Sequence, residues 1–89
     1  MNISGAGAGF ADISGAPLYY EVAGAGRPLV LLHEGFADSR MFDDQVAAFA
    51  ARYRVIRYDR YGRGRSGRPT GPYTHHGAVR DLLRHLGVE

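Results

Sequence analysis

The four residues His33-Glu34-Gly35-Phe36 stand where a buried strand is predicted to meet the loop before a helix. Backbone N–H groups at such a junction have no partner in regular secondary structure. They can therefore donate to a bound anion, or to the negative oxygen that develops when a carbonyl group is attacked. Alternatively, these residues merely end a strand, and their types alone leave both interpretations open.

His33 could be a zinc ligand, a general base or a structural residue. The zinc motif H-E-x-x-H requires a second histidine where this chain has Ala37. A general base needs a nucleophile, and no candidate is fixed near His33 in the sequence. We therefore expect a structural histidine whose imidazole bonds the loop backbone. The pair His75-His76 points to different faces of a helix and His85 shares neither face, so no metal site is predicted.

A glycine-rich turn follows the next predicted strand, with the pattern D-x-x-G-x-G-x-S from Asp59 to Ser66. The stretch from Gly62 to Gly67 also matches G-x-G-x-x-G, the phosphate-binding fingerprint of dinucleotide-binding folds. That fingerprint requires a helix to begin inside it, whereas Pro69 follows here almost at once. Dinucleotide binding is therefore not expected.

Ser66 lies in the sequence Gly64-Arg65-Ser66-Gly67-Arg68, which nearly matches the G-x-S-x-G elbow that presents a nucleophilic serine. Arginine replaces the last glycine, and the segment does not lead from a strand into a helix. We conclude that Ser66 is not a nucleophile.

Arginine accounts for all eleven basic residues, and seven of them fall between positions 52 and 68, interleaved with tyrosines. Such a cluster could bind RNA or single-stranded nucleic acid through phosphate contacts and base stacking. No recognised nucleic-acid-binding module accompanies it, so we expect surface arginines and no nucleic-acid partner.

Strands in the first third of the chain follow from its apolar runs. Short β-type runs at residues 10–13 and 18–22 flank a longer turn and predict a hairpin. Residues 29–32 are four consecutive aliphatic side chains, the pattern of a strand that is covered on both faces.

Helices alternate with strand in the rest of the chain. An apolar stripe at helical spacing within residues 41–51 predicts a helix, residues 53–58 predict a strand, and a second amphipathic helix runs from near Thr74 to Gly87. The order β-β-β-α-β-α predicts an α/β fold, in which a β-hairpin and at least one parallel strand pair form a mixed sheet with helices on its faces.

Size and composition favour one small globular domain. The chain has 89 residues, of which 45% are hydrophobic and 22% charged. We assign residues 1–9 to a flexible N-terminus and residues 10–89 to the domain. The absence of cysteine excludes disulfides and thiolate metal sites. No apolar run approaches the roughly 18 residues that span a bilayer, and the first residues lack a secretory signal pattern, so we expect a cytoplasmic protein without membrane contact.

Three motifs together resemble the N-terminal portion of the α/β-hydrolase family over residues 10–89. They are H-E-G-F-A-D-S after the third strand, D-R-Y-G-R-G-R-S after the fourth, and a final helix that ends in L-R-H-L-G-V-E. The resemblance implies a partial, incomplete α/β-hydrolase sheet. It also implies an oxyanion hole in which the N–H of Phe36 donates and Gly35 gives the backbone room to turn.

The same resemblance assigns the remaining loop residues. The family usually has glycine where this chain has Glu34, whose carboxylate would oppose an oxyanion and is expected to point away. The resemblance implies structural roles in the two loops for five residues: His33, Asp59, Gly62, Gly64 and Ser66. Gly62 and Gly64 are expected to have positive φ.

The family's catalytic residues come later than the portion that this chain resembles. A Ser-His-Asp mechanism needs all three members, so we predict no catalytic residue here and no turnover by the isolated chain. We expect the N-terminal portion of an enzyme that hydrolyses an ester or similar bond in a small molecule, without a cofactor. The alternatives are a non-catalytic binding or scaffolding module and, less favoured, an arginine-rich nucleic-acid binder.

The strand from Leu29 to His33 is expected to have an unpaired edge. In the family it lies between the strand of residues 54–58 and the strand that carries the nucleophile. An open apolar edge is a template for pairing with another chain. We therefore expect self-association, or pairing with a complementing C-terminal hydrolase fragment, along the edge from Leu29 to His33.

Overall fold

The computed structural model describes residues 7–33 and 37–88, and these two segments contain a four-stranded sheet. Its strands in chain order are β1 (Gly7–Ile13), β2 (Ala16–Ala23), β3 (Arg27–Leu31) and β4 (Tyr53–Tyr58). The order across the sheet is β1-β2-β4-β3. β2 is antiparallel to both β1 and β4, whereas β3 and β4 are parallel. The predicted mixed sheet is confirmed, and it is open at β1 and β3.

The hairpin turn is tighter than its sequence suggests. Ser14 and Gly15 form the turn with φ angles of 56° and 80°, as two-residue hairpin loops require. Ala16 and Pro17 already pair with β1, so they belong to the strand and not to a longer turn. β1 also begins at Gly7, inside the segment that we assigned to a flexible N-terminus.

The third strand is less buried than four consecutive aliphatic residues predict. Residues 29–31 are half-buried, and Leu32, which follows the strand, is 51% exposed. The expectation that residues 29–32 are covered on both faces is therefore wrong. Among the described strands, β4 is the one neighbour of β3, so part of each β3 side chain stays in solvent.

The helices occupy the predicted positions. A 3₁₀ turn (Ser39–Phe42) leads into α1 (Asp43–Ala50), and α2 spans His75–His85. Asp38 caps the 3₁₀ turn by accepting from the Arg40 N–H at 2.9 Å. Neither α-helix in the described part of the chain has the length and apolarity that a membrane span needs.

The two ends of α2 follow local signals. Thr74 Oγ1 accepts from the Gly77 N–H at 3.0 Å, and Gly87 lies beyond the helix with φ of 77°. A Cβ on Gly77 would lie 2.7 Å from that oxygen, so glycine at this position makes room for the cap.

The core lies mainly between the sheet and α2. Ala78 and Leu82 of α2 are 3% and 0% exposed and join a cluster with strand residues such as Leu18 and Ile56. α1 has no buried residue, and its Phe49 remains 37% exposed. One face of the sheet is therefore well covered and the other is covered in part.

Candidate functional site

The two predicted loops meet where the parallel strands β3 and β4 end. His33 follows β3 and is 1% exposed, and its Nε2 accepts from the Arg60 N–H at 2.8 Å. In this geometry Nε2 carries no proton. The histidine predicted to be structural therefore bonds the backbone of the turn that follows β4.

Asp59 is the centre of that turn. Its carboxyl group is 1% exposed, with Oδ1 accepting from the Ser39 N–H at 2.7 Å and Oδ2 from the Arg65 N–H at 2.8 Å. Its own N–H donates to the Tyr19 carbonyl at 3.0 Å. One residue thus ties together β2, through its backbone, and the start of the 3₁₀ turn and the glycine-rich turn, through its side chain.

Ser66 closes the turn onto β2. Its Oγ accepts from the Tyr19 N–H at 2.8 Å and donates to the Asp59 carbonyl. Ser66 Oγ is thus engaged both as a donor and as an acceptor, which is the arrangement expected of a structural serine.

Both glycines of the turn have positive φ, 76° at Gly62 and 51° at Gly64. A Cβ on Gly64 would lie 2.2 Å from Asp59 Oδ2, so any other residue there would displace the carboxylate.

The candidate oxyanion residues Gly35 and Phe36, together with Glu34, lie outside the described residues. The segments on either side of them are held firmly. His33 bonds Arg60, and Ser39 is fixed at its N–H by Asp59 and at its carbonyl by Arg57 Nη1, 3.0 Å away.

The sequence analysis did not predict two ion-paired arginines beside this loop, Arg40 and Arg57. Arg40 contacts the Asp38 carboxylate through two nitrogens, with the shorter distance 2.7 Å. These hydrogen bonds lower the pKa of Asp38 from 3.8 to about 2.

Arg57 bridges β2 and α1 through Glu21 Oε1 at 2.7 Å and Asp43 Oδ1 at 2.6 Å. Burial acts to lower the pKa of Arg57, but the two carboxylates outweigh it and the pKa is raised. In the sequence, an arginine within a predicted strand was the available sign of this ion pair. Its partners, however, lie 14 to 36 residues away in the sequence.

Several hydrolases are among the known proteins with similar sequence or structure. RutD of Azorhizobium caulinodans, which is named as a carbamate hydrolase, is 44% identical over an alignment of 77 residues, and the match covers 83% of this chain and 29% of RutD. The epoxide hydrolase CorEH superposes with a TM-score of 0.83 and 33% identity, covering 91% of this chain and 30% of CorEH. The enol-lactonase from Burkholderia xenovorans LB400 gives a TM-score of 0.74 and 35% identity over 88% of this chain and 33% of the enzyme.

The chain thus spans about 30% of the length of these relatives. No protein-family model matches it.

Proposed function

Since the chain belongs to the α/β-hydrolase fold family, we propose that it forms the N-terminal portion of a hydrolase and supplies that enzyme's oxyanion loop. The reaction is hydrolysis of an ester or similar bond in a small molecule. Attack on the carbonyl carbon moves negative charge onto the carbonyl oxygen, and the Phe36 N–H donates to that oxygen. Nucleophile, acid and base come from the rest of the enzyme, so the isolated chain does not turn over substrate.

The observation that carries this proposal is the anchoring of both flanks of residues 34–36 to the turn after β4. Backbone donors stabilise a transition state effectively when they are held in place before the reaction. His33 on one side and Ser39 on the other are fixed by the backbone of Arg60 and the carboxylate of Asp59. Both flanks of the loop are therefore held in place before the reaction.

A chimera tests the proposal. In it, the matched segment of the Azorhizobium RutD protein is replaced by the corresponding residues of this chain. We expect the folded chimera to hydrolyse p-nitrophenyl acetate and the isolated chain to give no turnover. Turnover by the isolated chain that disappears in a folded Ser66→Ala variant would contradict the structural role of that serine. A folded chimera without activity would contradict the supply of a competent oxyanion loop.

The open edge of β3 supports a second part of the proposal, which concerns partners. Within the described residues, β4 is the neighbour of β3 on one side and no strand pairs with its other side. We propose that in the assembled hydrolase this edge, from Leu29 to His33, pairs with a strand of the C-terminal portion. In the isolated chain the same edge leads to self-association.

Sedimentation of two lysine variants tests the edge. Leu32 is an exposed apolar residue directly after β3, and Ala8 is an exposed residue of β1 at the opposite edge. Leu32→Lys should shift the isolated chain toward monomer because a charge at a sheet edge opposes pairing, whereas Ala8→Lys should leave association unchanged. A wild-type chain that sediments as a monomer at all concentrations would refute self-association through the edge of β3.

A further inference from the structure

A basic cavity lies between the glycine-rich turn and the start of α2. It encloses about 310 Å³, and none of the described residues that line it is acidic. Three arginines, two tyrosines, a glycine and a histidine surround it: Arg60, Arg63, Arg68, Tyr61, Tyr73, Gly62 and His75. The backbone N–H of Arg60 anchors His33, but the proposed oxyanion function uses none of these side chains. The three arginines and Tyr61 fall within the arginine-rich stretch recognised in the sequence.

Arg60 has an unused donor beside this cavity. Its Nε is buried and has no hydrogen-bond acceptor in the described part of the chain. Its guanidinium interacts with the Tyr58 hydroxyl, which is a neutral group. A buried charged donor without an acceptor is unfavourable, so an anionic group in the adjacent cavity would offset part of that cost.

Arg68 lies on the other side of the turn, with its guanidinium over Gly62. A Cβ at Gly62 would lie 2.9 Å from Arg68 Nη2, so the glycine allows this close approach. Among the described residues no carboxylate lies within ion-pair distance of Arg60 or Arg68, whereas five other arginines have such partners: Arg40, Arg57, Arg65, Arg80 and Arg84.

Aromatic rings add flat apolar surface to the cavity. Tyr61 and Tyr73 pack edge to face with centroids 4.9 Å apart, and His75 packs on Tyr73 at 5.7 Å. Tyr73 is 38% exposed, so part of its ring is open to a ligand. The N-terminus of α2 begins at the same place and adds partial positive charge.

We propose that this cavity binds a small organic anion, with the arginines holding its carboxylate or phosphate group and the tyrosines contacting its flat apolar part. The guanidinium fork matches the geometry of both anionic groups, and aromatic rings favour planar ligands. This is a ligand site additional to the proposed oxyanion loop, and it belongs to the isolated chain whether or not that chain is part of a hydrolase.

Calorimetric titration of the 89-residue chain with phenyl phosphate and with benzoate, at constant ionic strength, tests the site. We expect saturable 1:1 binding of at least one of the two, and the tighter one identifies the anionic group. Arg68→Gln should weaken binding about tenfold, because it removes charge-assisted hydrogen bonds. Arg52→Gln is the matched control, since Arg52 is exposed at the opposite end of β4 and should change binding less than about twofold.

Two further variants make the test independent of folding. Arg68 and Tyr73 are exposed, so Arg68→Lys and Tyr73→Leu should retain the wild-type circular dichroism and melting temperature. Arg68→Lys should bind with intermediate affinity, because it keeps the charge and loses the fork.

Absence of saturable binding, or equal weakening by Arg68→Gln and Arg52→Gln, would overturn the proposal. The proposal would also be overturned if a single-stranded oligonucleotide bound more tightly than phenyl phosphate and benzoate, and if Arg52→Gln weakened that binding as much as Arg68→Gln. Such a result would indicate an extended nucleic-acid surface.

Discussion

Replacing Ser66 by alanine should strongly destabilise the chain, although the change removes one oxygen atom. β4 ends at Tyr58, one pair short of Tyr19 on β2. Beyond that end, the Asp59 N–H bonds the Tyr19 carbonyl and Ser66 Oγ accepts from the Tyr19 N–H at 2.8 Å. The serine therefore takes the place of a backbone acceptor and continues the sheet ladder beyond the strand.

The expected loss follows from the groups left without partners. Tyr19 is 9% exposed, so its N–H would be left buried without an acceptor, and the Asp59 carbonyl would lose a donor. A buried unsatisfied group costs about 1–3 kcal/mol, so the two together should reduce the free energy of unfolding by about 2–6 kcal/mol. A domain of this size has a total stability of about 4–13 kcal/mol, so the loss is a large fraction. It corresponds to a fall in melting temperature of about 10 °C or more.

Ser39→Ala is the matched control for this experiment. Ser39 is 1% exposed and its Oγ has no hydrogen-bond partner in the described part of the chain. Removing that hydroxyl should leave the free energy of unfolding unchanged or raise it slightly. Both variants are measured by thermal and urea unfolding against wild type. Equal effects of Ser66→Ala and Ser39→Ala would refute the reasoning, because it assigns the cost to lost partners and not to the lost oxygen.

Two further changes test the surroundings of the turn. Asp38 should titrate with a pKa of about 2 by NMR because Arg40 favours its charged form, and its contribution to stability, complete above pH 4, should disappear as the pH falls toward 2. Asp38→Asn should lack this pH dependence, and a normal carboxyl titration in the wild type would argue against the ion pair. Gly64→Ala should reduce the free energy of unfolding by about 2 kcal/mol or more, because φ is 51° and the new Cβ would collide with Asp59. Gly71→Ala, where nothing lies within 4 Å, should have little effect, and similar losses at the two sites would contradict the collision.

Features set by local sequence were predictable from the residues alone. The ends of α2 depend on Thr74 and Gly87, which act within one turn of the helix. The element order and the mixed sheet follow similarly from runs of apolar residues and the turns between them.

The degree of burial of β3 was not predictable from the residues of that strand, because burial depends on which strands lie beside it. Four aliphatic residues in a row are equally compatible with a central strand and with an edge strand whose partner is elsewhere. The contacts of Arg57 were missed for a related reason. They join residues far apart in sequence, and nothing near Arg57 marks Glu21 or Asp43 as its partners.

The central claim is that the Phe36 N–H stabilises an oxyanion, and removal of that N–H in the RutD chimera tests it most directly. Phe36→Pro eliminates the donor, whereas Phe36→Ala keeps it and removes the side chain. We predict that Phe36→Pro lowers kcat for p-nitrophenyl acetate by about 10²–10³-fold with little change in KM, because the hydrogen bond forms in the transition state. Phe36→Ala should retain most of kcat. A folded Phe36→Pro chimera that turns over as fast as the Phe36→Ala chimera would contradict the claim.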